Sequence, residues 1–185
     1  FQNGLAISYS QLGSTHSSLG NLENALTFFE QETVLFEALY ESYPQNVSFQ
    51  NGLAISYSKL GDTHSSLGNL EKALTFFEQY NTLEKALYES YPKNVSFQNG
   101  LAISYSKLGA FYRDKKKDSV KAKMYFEKCH HLWSELAAAH PNYLEFTNNL
   151  SWAENALNLK IQSKNNILVV FLFLCILGLL YFLFF

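Results

Sequence analysis

The decapeptide FQNGLAISYS stands at residues 1, 49 and 97, and no other feature restricts the possible folds of this chain so sharply. Laying 1–48 over 49–96 gives 39 identities and 9 differences, a third copy spans 97–145, and Phe146 restarts the pattern. The offsets are therefore 48, 48 and 49. A fixed period of about 20–50 residues marks stacked units, none of which can bury its apolar face alone.

Each copy contains Asn-Gly, at 3–4, 51–52 and 99–100. That dipeptide is the strongest short signal for a β-hairpin, but a hairpin needs alternating strands on both sides, and none are present. Instead Leu5, Tyr9, Leu12, His16 and Leu19 recur at helical steps of 4, 3, 4 and 3, forming a bulky face. One residue on, Ala6, Ser10, Gly13, Ser17 and Gly20 form a face of small side chains. A ridge beside such a groove suits close antiparallel packing. Asn-Gly then falls at or just inside the helix start, with Ser48 and Ser96 as expected N-caps. Gly52 and Gly100 sit where a missing side chain lets a neighbouring helix approach. A second helix is predicted from about Leu22 to Ser42, with Leu22, Ala25, Leu26, Phe29, Phe36, Leu39, Tyr40 and Tyr43 inward. Pro44, Pro92 and Pro141 end it and its copies. The predicted fold class is all-α, built from antiparallel pairs of helices of roughly 20 residues, or about 30 Å.

Tyr57, Leu60, Gly61, His64, Leu67, Gly68, Ala73, Phe77 and Pro92 resemble the tetratricopeptide repeat, whose pattern is W-x2-L-G-x2-Y, then A-x3-F, then P. His16 and His64 replace the family's Tyr, which returns as Tyr112. The period exceeds the family's 34 residues by about 14, which two added turns on each helix would supply. The resemblance implies an α-solenoid of three repeats, 1–48, 49–96 and 97–145. In the third, Arg113 to Ser119 replaces the Leu-Gly turn, with one residue inserted before Ala122. Phe146 to Lys160 is expected as a capping first-helix with Leu150, Ala153 and Leu157 inward, within a capping and juxtamembrane segment over 146–164.

The family resemblance also implies a concave groove lined by the first helices, which holds a partner peptide or helix. Carried over by position, its lining would be Ile7, Ser10, Ser14 and Ser17, then Ile55, Ser58, Asp62 and Ser65, then Ile103, Ser106, Ala110 and Arg113. The family's clamp for C-terminal carboxylates uses Lys and Asn at several such sites, whereas this chain has mostly Ser.

Residues 167–185 carry no charge, and 16 of the 19 are Leu, Ile, Val or Phe. At 1.5 Å per residue they reach ~28 Å, enough for a hydrocarbon core of ~30 Å. A single transmembrane helix is expected there. The formal charge of -2 conceals a gradient, from -5 over 1–48 through -1 over 49–96 to +4 over the rest. Lys160 and Lys164 directly precede the apolar block, so the positive-inside tendency places the repeats in the cytoplasm. Phe1 is not an initiator Met, and the chain opens partway through the pattern, as expected of a piece of a longer protein.

Nothing in the sequence forms an enzyme constellation; neither G-x-S-x-G nor a phosphate-cradling glycine loop occurs. His16 and His64 are expected to pack. Cys129-His130-His131 has no metal spacing, and Cys129 lines up instead with Trp133, Leu136 and His140 as a core stripe. Asn46, Asn94 and Asn149 begin glycosylation sequons, the first two read as turn residues beside a capping Ser. Arg113, Lys115, Lys116, Lys117, Lys121 and Lys123 form a basic run, either a solvated turn or a contact for anionic lipid head groups. No aromatic residues interleave these cations, and the first two units are acidic, so nucleic acid is not expected. The chain reads as a membrane-anchored scaffold that binds a protein or peptide, without cofactor or catalysis. Two other readings remain open: the extracytoplasmic sensor region of a larger signalling protein, and an enzyme whose catalytic domain lies outside this stretch.

Overall fold

The computed structural model of the protein describes residues 1–157. Six helices run α1 (Gln2–Ser18), α2 (Leu22–Ser42), α3 (Val47–Ser66), α4 (Leu70–Ser90), α5 (Val95–Asp114) and α6 (Ser119–Ala139). A further helical stretch, α7, covers residues 144–157. The helices pack as pairs, α1 with α2, α3 with α4 and α5 with α6, and each second helix also packs on the next first helix. The expected span, 167–185, lies outside the described residues. Among the described residues, no helix is long and apolar enough to cross a membrane.

The turn inside each of the first two pairs follows from one glycine. Gly20 and Gly68 take φ values of 77° and 82°, the left-handed region that costs an L side chain about 1–2 kcal/mol. Their N–H groups donate to Ser17 O and Ser65 O, and Asn21 and Asn69 donate to His16 O and His64 O, closing a Schellman motif. In the third pair Lys117 occupies this backbone region, with φ 55°, because the Leu-Gly sequence is missing there.

The caps correct one expectation. Asn46 and Asn94, rather than Ser48 and Ser96, precede α3 and α5. Asn46 Oδ1 accepts from the N–H groups of Ser48 and Phe49 at 3.0 and 3.3 Å, and Asn94 repeats the arrangement with Ser96 and Phe97. Both sequon asparagines are thus occupied as caps. The cap lies two residues earlier than expected because Val47 and Val95 already belong to their helices.

The small and bulky faces have separate partners. Gly13, Gly61 and Gly109 meet Phe29, Phe77 and Phe126 of the same pair, and an added Cβ would lie 2.5–2.6 Å from those rings. Gly52, from the Asn-Gly that imitated a hairpin, sits under the Phe36 ring of the preceding pair; Gly100 sits under Glu84 in the same way. The recurring Asn-Gly therefore marks where successive pairs press together. Leu53 and Leu60 on the bulky face of α3 are buried against α2, and Leu101 and Leu108 repeat this on α5. One cluster then runs continuously from Ala73 on α4 through α5 and α6 to Phe146, Ala153 and Ala156 of α7, where Trp152 meets Phe126 and Trp133 edge-on.

His16 and His64 lie stacked on Phe28 and Phe76 at 5.3 and 5.5 Å. Burial lowers the His64 pKa, so this ring packs as the neutral form. Cys129 is buried beside Trp133 and Leu136, and desolvation pushes its thiol up to about 12, which makes it unreactive as a thiolate. His140 ends α6 and rests on Tyr143 and Phe146 instead.

Candidate partner-binding face

The first helices of neighbouring pairs are tied to one another by lysines. Lys59 Nζ on α3 donates to Ser10 Oγ on α1 and to Glu32 on α2, 3.0 Å from Oε1. Lys107 on α5 reaches Asp62 on α3 at 2.6 Å. Each ammonium also lies over a phenylalanine of the preceding pair, Lys59 over Phe29 at 5.5 Å and Lys107 over Phe77 at 5.9 Å. Within the third pair, Arg113 of α5 lies over the Phe126 ring of α6 at 5.3 Å. Arg113 also forms a two-pronged pair with Asp114, 2.7 and 2.9 Å, which raises its pKa and lowers that of Asp114.

Beside this lysine ladder lies an open depression of about 280 Å³ between α1 and α3. Ser14, Ser17 and Asp62 from the sequence-derived set line it, joined by Ser18, Thr63, Ser66, Lys59 and Phe29. The remaining residues of that set are dispersed. Ile7 and Ile55 are exposed, Ser58 is buried, and Ser65 and Ser106 are half-buried. Ile103 packs against the core.

Four of the five hydroxyls that line the depression are committed as donors. The hydroxyls of Ser14, Ser18, Thr63 and Ser66 donate to the carbonyls of Ser10, Ser14, Lys59 and Asp62, one turn back, at 2.8–2.9 Å. A hydroxyl has one donor and two lone pairs, so these groups present only acceptors to a visitor. Lys59 and Lys107 are held by carboxylates, leaving the depression without a free cation among these residues. Its chemistry favours a partner that brings N–H or ammonium groups over one that brings a carboxylate.

Sequence reasoning missed the lysines. Their signal was the repeat itself, since position 11 reads Gln in the first copy and Lys at 59 and 107 in the next two. Glu32 and Glu84 were missed as well. Glu32 is 1% exposed; burial raises its pKa, opposed by Lys59. Glu84 is 2% exposed, its Oε2 has no hydrogen-bond partner, and burial raises its pKa to about 7.

The basic run of the third pair is partly consumed within the protein. Besides Arg113, Lys116 pairs with Glu71 of α4, Lys123 with Glu127 at 3.4 Å, and Lys121 lies over the Tyr112 ring at 4.8 Å. Lys115 and Lys117 are exposed at the turn. Among the described residues, no group of three His, Cys, Asp or Glu side chains is placed to hold a metal.

Helix pairs of equal construction, stacked through a shared face, define a helical repeat protein. Residues 4–80 match the model of the tetratricopeptide repeat family. The likeness to that family extends over this stretch, the first pair and most of the second. No curated protein matches the chain.

Proposed function

We propose that the chain is a membrane-anchored scaffold with three repeats, 1–48, 49–96 and 97–145, which holds a partner segment along the α1–α3–α5 side. The observation that carries this reading is the acceptor-lined depression between α1 and α3, flanked by the neutralised lysine ladder. Its partner is a segment rich in N–H donors, such as a basic peptide. Anchoring rests on the uncharged block 167–185, and the Lys160 and Lys164 flank supports a cytoplasmic side for the repeats.

Two measurements on the full chain in its native membrane test the proposal. A photo-crosslinking side chain at Ser17 should capture a protein partner that the same group at Thr82, on α4, does not. Equal capture at both sites refutes groove binding. Alkaline carbonate should leave the chain in the membrane pellet, and protease added outside intact cells should spare the repeats; release refutes anchoring, and digestion refutes the orientation.

A further inference from the structure

The third pair departs from the first two along one edge. Counted from the alanine that all three share, Ala25, Ala73 and Ala122, the residues Gly20 and Gly68 become Lys117, Glu23 and Glu71 become Val120, and Thr27 and Thr75 become Met124. Two of these changes cost stability locally. Lys117 takes the left-handed backbone that glycine occupies in the other turns, and Val120 replaces an acid that the positive end of a helix favours. Val120 is also 79% exposed, and Met124 39%. A turn that merely meets water needs none of this, and local rules broken without a packing gain mark a functional surface. Of the cations here, Arg113, Lys116 and Lys123 are held by Asp114, Glu71 and Glu127, and Lys121 lies over Tyr112. Lys115 and Lys117, in the turn just before Val120, are exposed and, among the described residues, have no ion pair.

α7 leads the chain towards this edge. Asn99 at the start of α5 donates to Glu145 at the start of α7, 2.9 Å, and further along α7 Trp152 meets Phe126, near the start of α6. α7 therefore runs in the same direction as α5, towards the α5–α6 turn. Ile167, where the uncharged block begins, is ten residues on from Leu157, a reach of at most about 35 Å. We propose that this edge lies on an anionic bilayer surface, with Lys115 and Lys117 on lipid head groups and Val120 and Met124 in the interface. The contact depends on the anchoring proposed above, because the block 167–185 is what holds the edge near lipid. Charge complementarity selects anionic lipid over neutral.

The full chain carrying Cys175→Ala and one introduced cysteine, labelled with a fluorophore, is reconstituted into vesicles that contain a lipid with a nitroxide head group. Cys129 is buried and stays unlabelled. The label sits at Met124→Cys or, as a control in the α2–α3 turn at the other end of the pairs, at Gln45→Cys. Quenching at 124 is expected to exceed that at 45 in vesicles containing phosphatidylserine, and to fall to the level at 45 in pure phosphatidylcholine. Restoring the residues of the second pair, Lys117→Gly with Val120→Glu, should abolish the difference while circular dichroism shows the fold retained; loss of one lysine near an anionic surface corresponds to about fivefold in the contact equilibrium. Equal quenching at the two sites, or quenching indifferent to lipid charge or to the double substitution, overturns the proposal. So does an emission shift on adding soluble polyglutamate that phosphatidylserine does not produce, which assigns the edge to an acidic polypeptide. Carbonate extraction of the same vesicles separates the two ways of failing: a chain that stays with the lipid but shows equal quenching loses only this contact, whereas release removes the anchoring as well.

Discussion

Glu84→Gln should make the protein more stable at neutral and alkaline pH while leaving it unchanged in acid. The Glu84 carboxyl lies between α4 and α5 over Gly100, 2% exposed, with Oε2 unpartnered, and burial raises its pKa from 4.5 to about 7. The sign follows from proton counting. As pH rises above 4.5 the unfolded chain loses this proton first, so unfolding is increasingly favoured until the folded group also ionises near 7. Stability contributed by the protonated form is thus fully present below about 4.5, falls between 4.5 and 7, and is constant above. A shift of this size corresponds to about 3 kcal/mol. Gln keeps the shape and cannot ionise. Thermal melts of wild type and variant should coincide near pH 4 and separate by about 6–12 °C at pH 8, the variant being the more stable. Using the difference between the two proteins cancels the titration of other carboxylates. A pH-independent difference in Tm would show that Glu84 is hydrated in the folded chain and would refute the reasoning.

The lysine ladder gives the opposite sign. Lys59→Met should destabilise by about 3 kcal/mol by leaving Glu32 buried without its cation, and adding Glu32→Gln should recover most of the loss; additive effects in denaturant titrations would contradict that coupling. Lys117→Gly should stabilise by about 1 kcal/mol by relieving the left-handed backbone at φ 55°, measured as a rise in the urea midpoint at constant slope.

Most of the architecture was legible because the repeat states it three times. The predicted second helix, from about Leu22 to Ser42, matches α2, except that Tyr43, expected inward, caps the helix and is exposed; glycine steps in the first helices marked both interhelical contacts. The caps were not legible. Asn46 and Ser48 are both good capping residues, and only the backbone shows that Val47 already lies inside α3. For the proposed groove, Ser14, Ser17 and Asp62 line one depression, but a positional carry-over could not foresee that Ser58 would be buried. Nor could it reveal that Glu32 and Glu84, at non-equivalent positions of nearly identical helices, would both be buried.

Sequence alone determined that this chain forms paired helices in a stack, since a 48-residue period with helical stripes leaves an isolated unit no way to hide its apolar face. Tertiary structure decided which chemically identical residues are buried. Leu12 and Leu60 have nearly the same local sequence, and only the presence of α2 against α3 removes the second from water. Burial depends on what lies beside a helix, and the same dependence governs the charge of Glu84 and the use of the lysines.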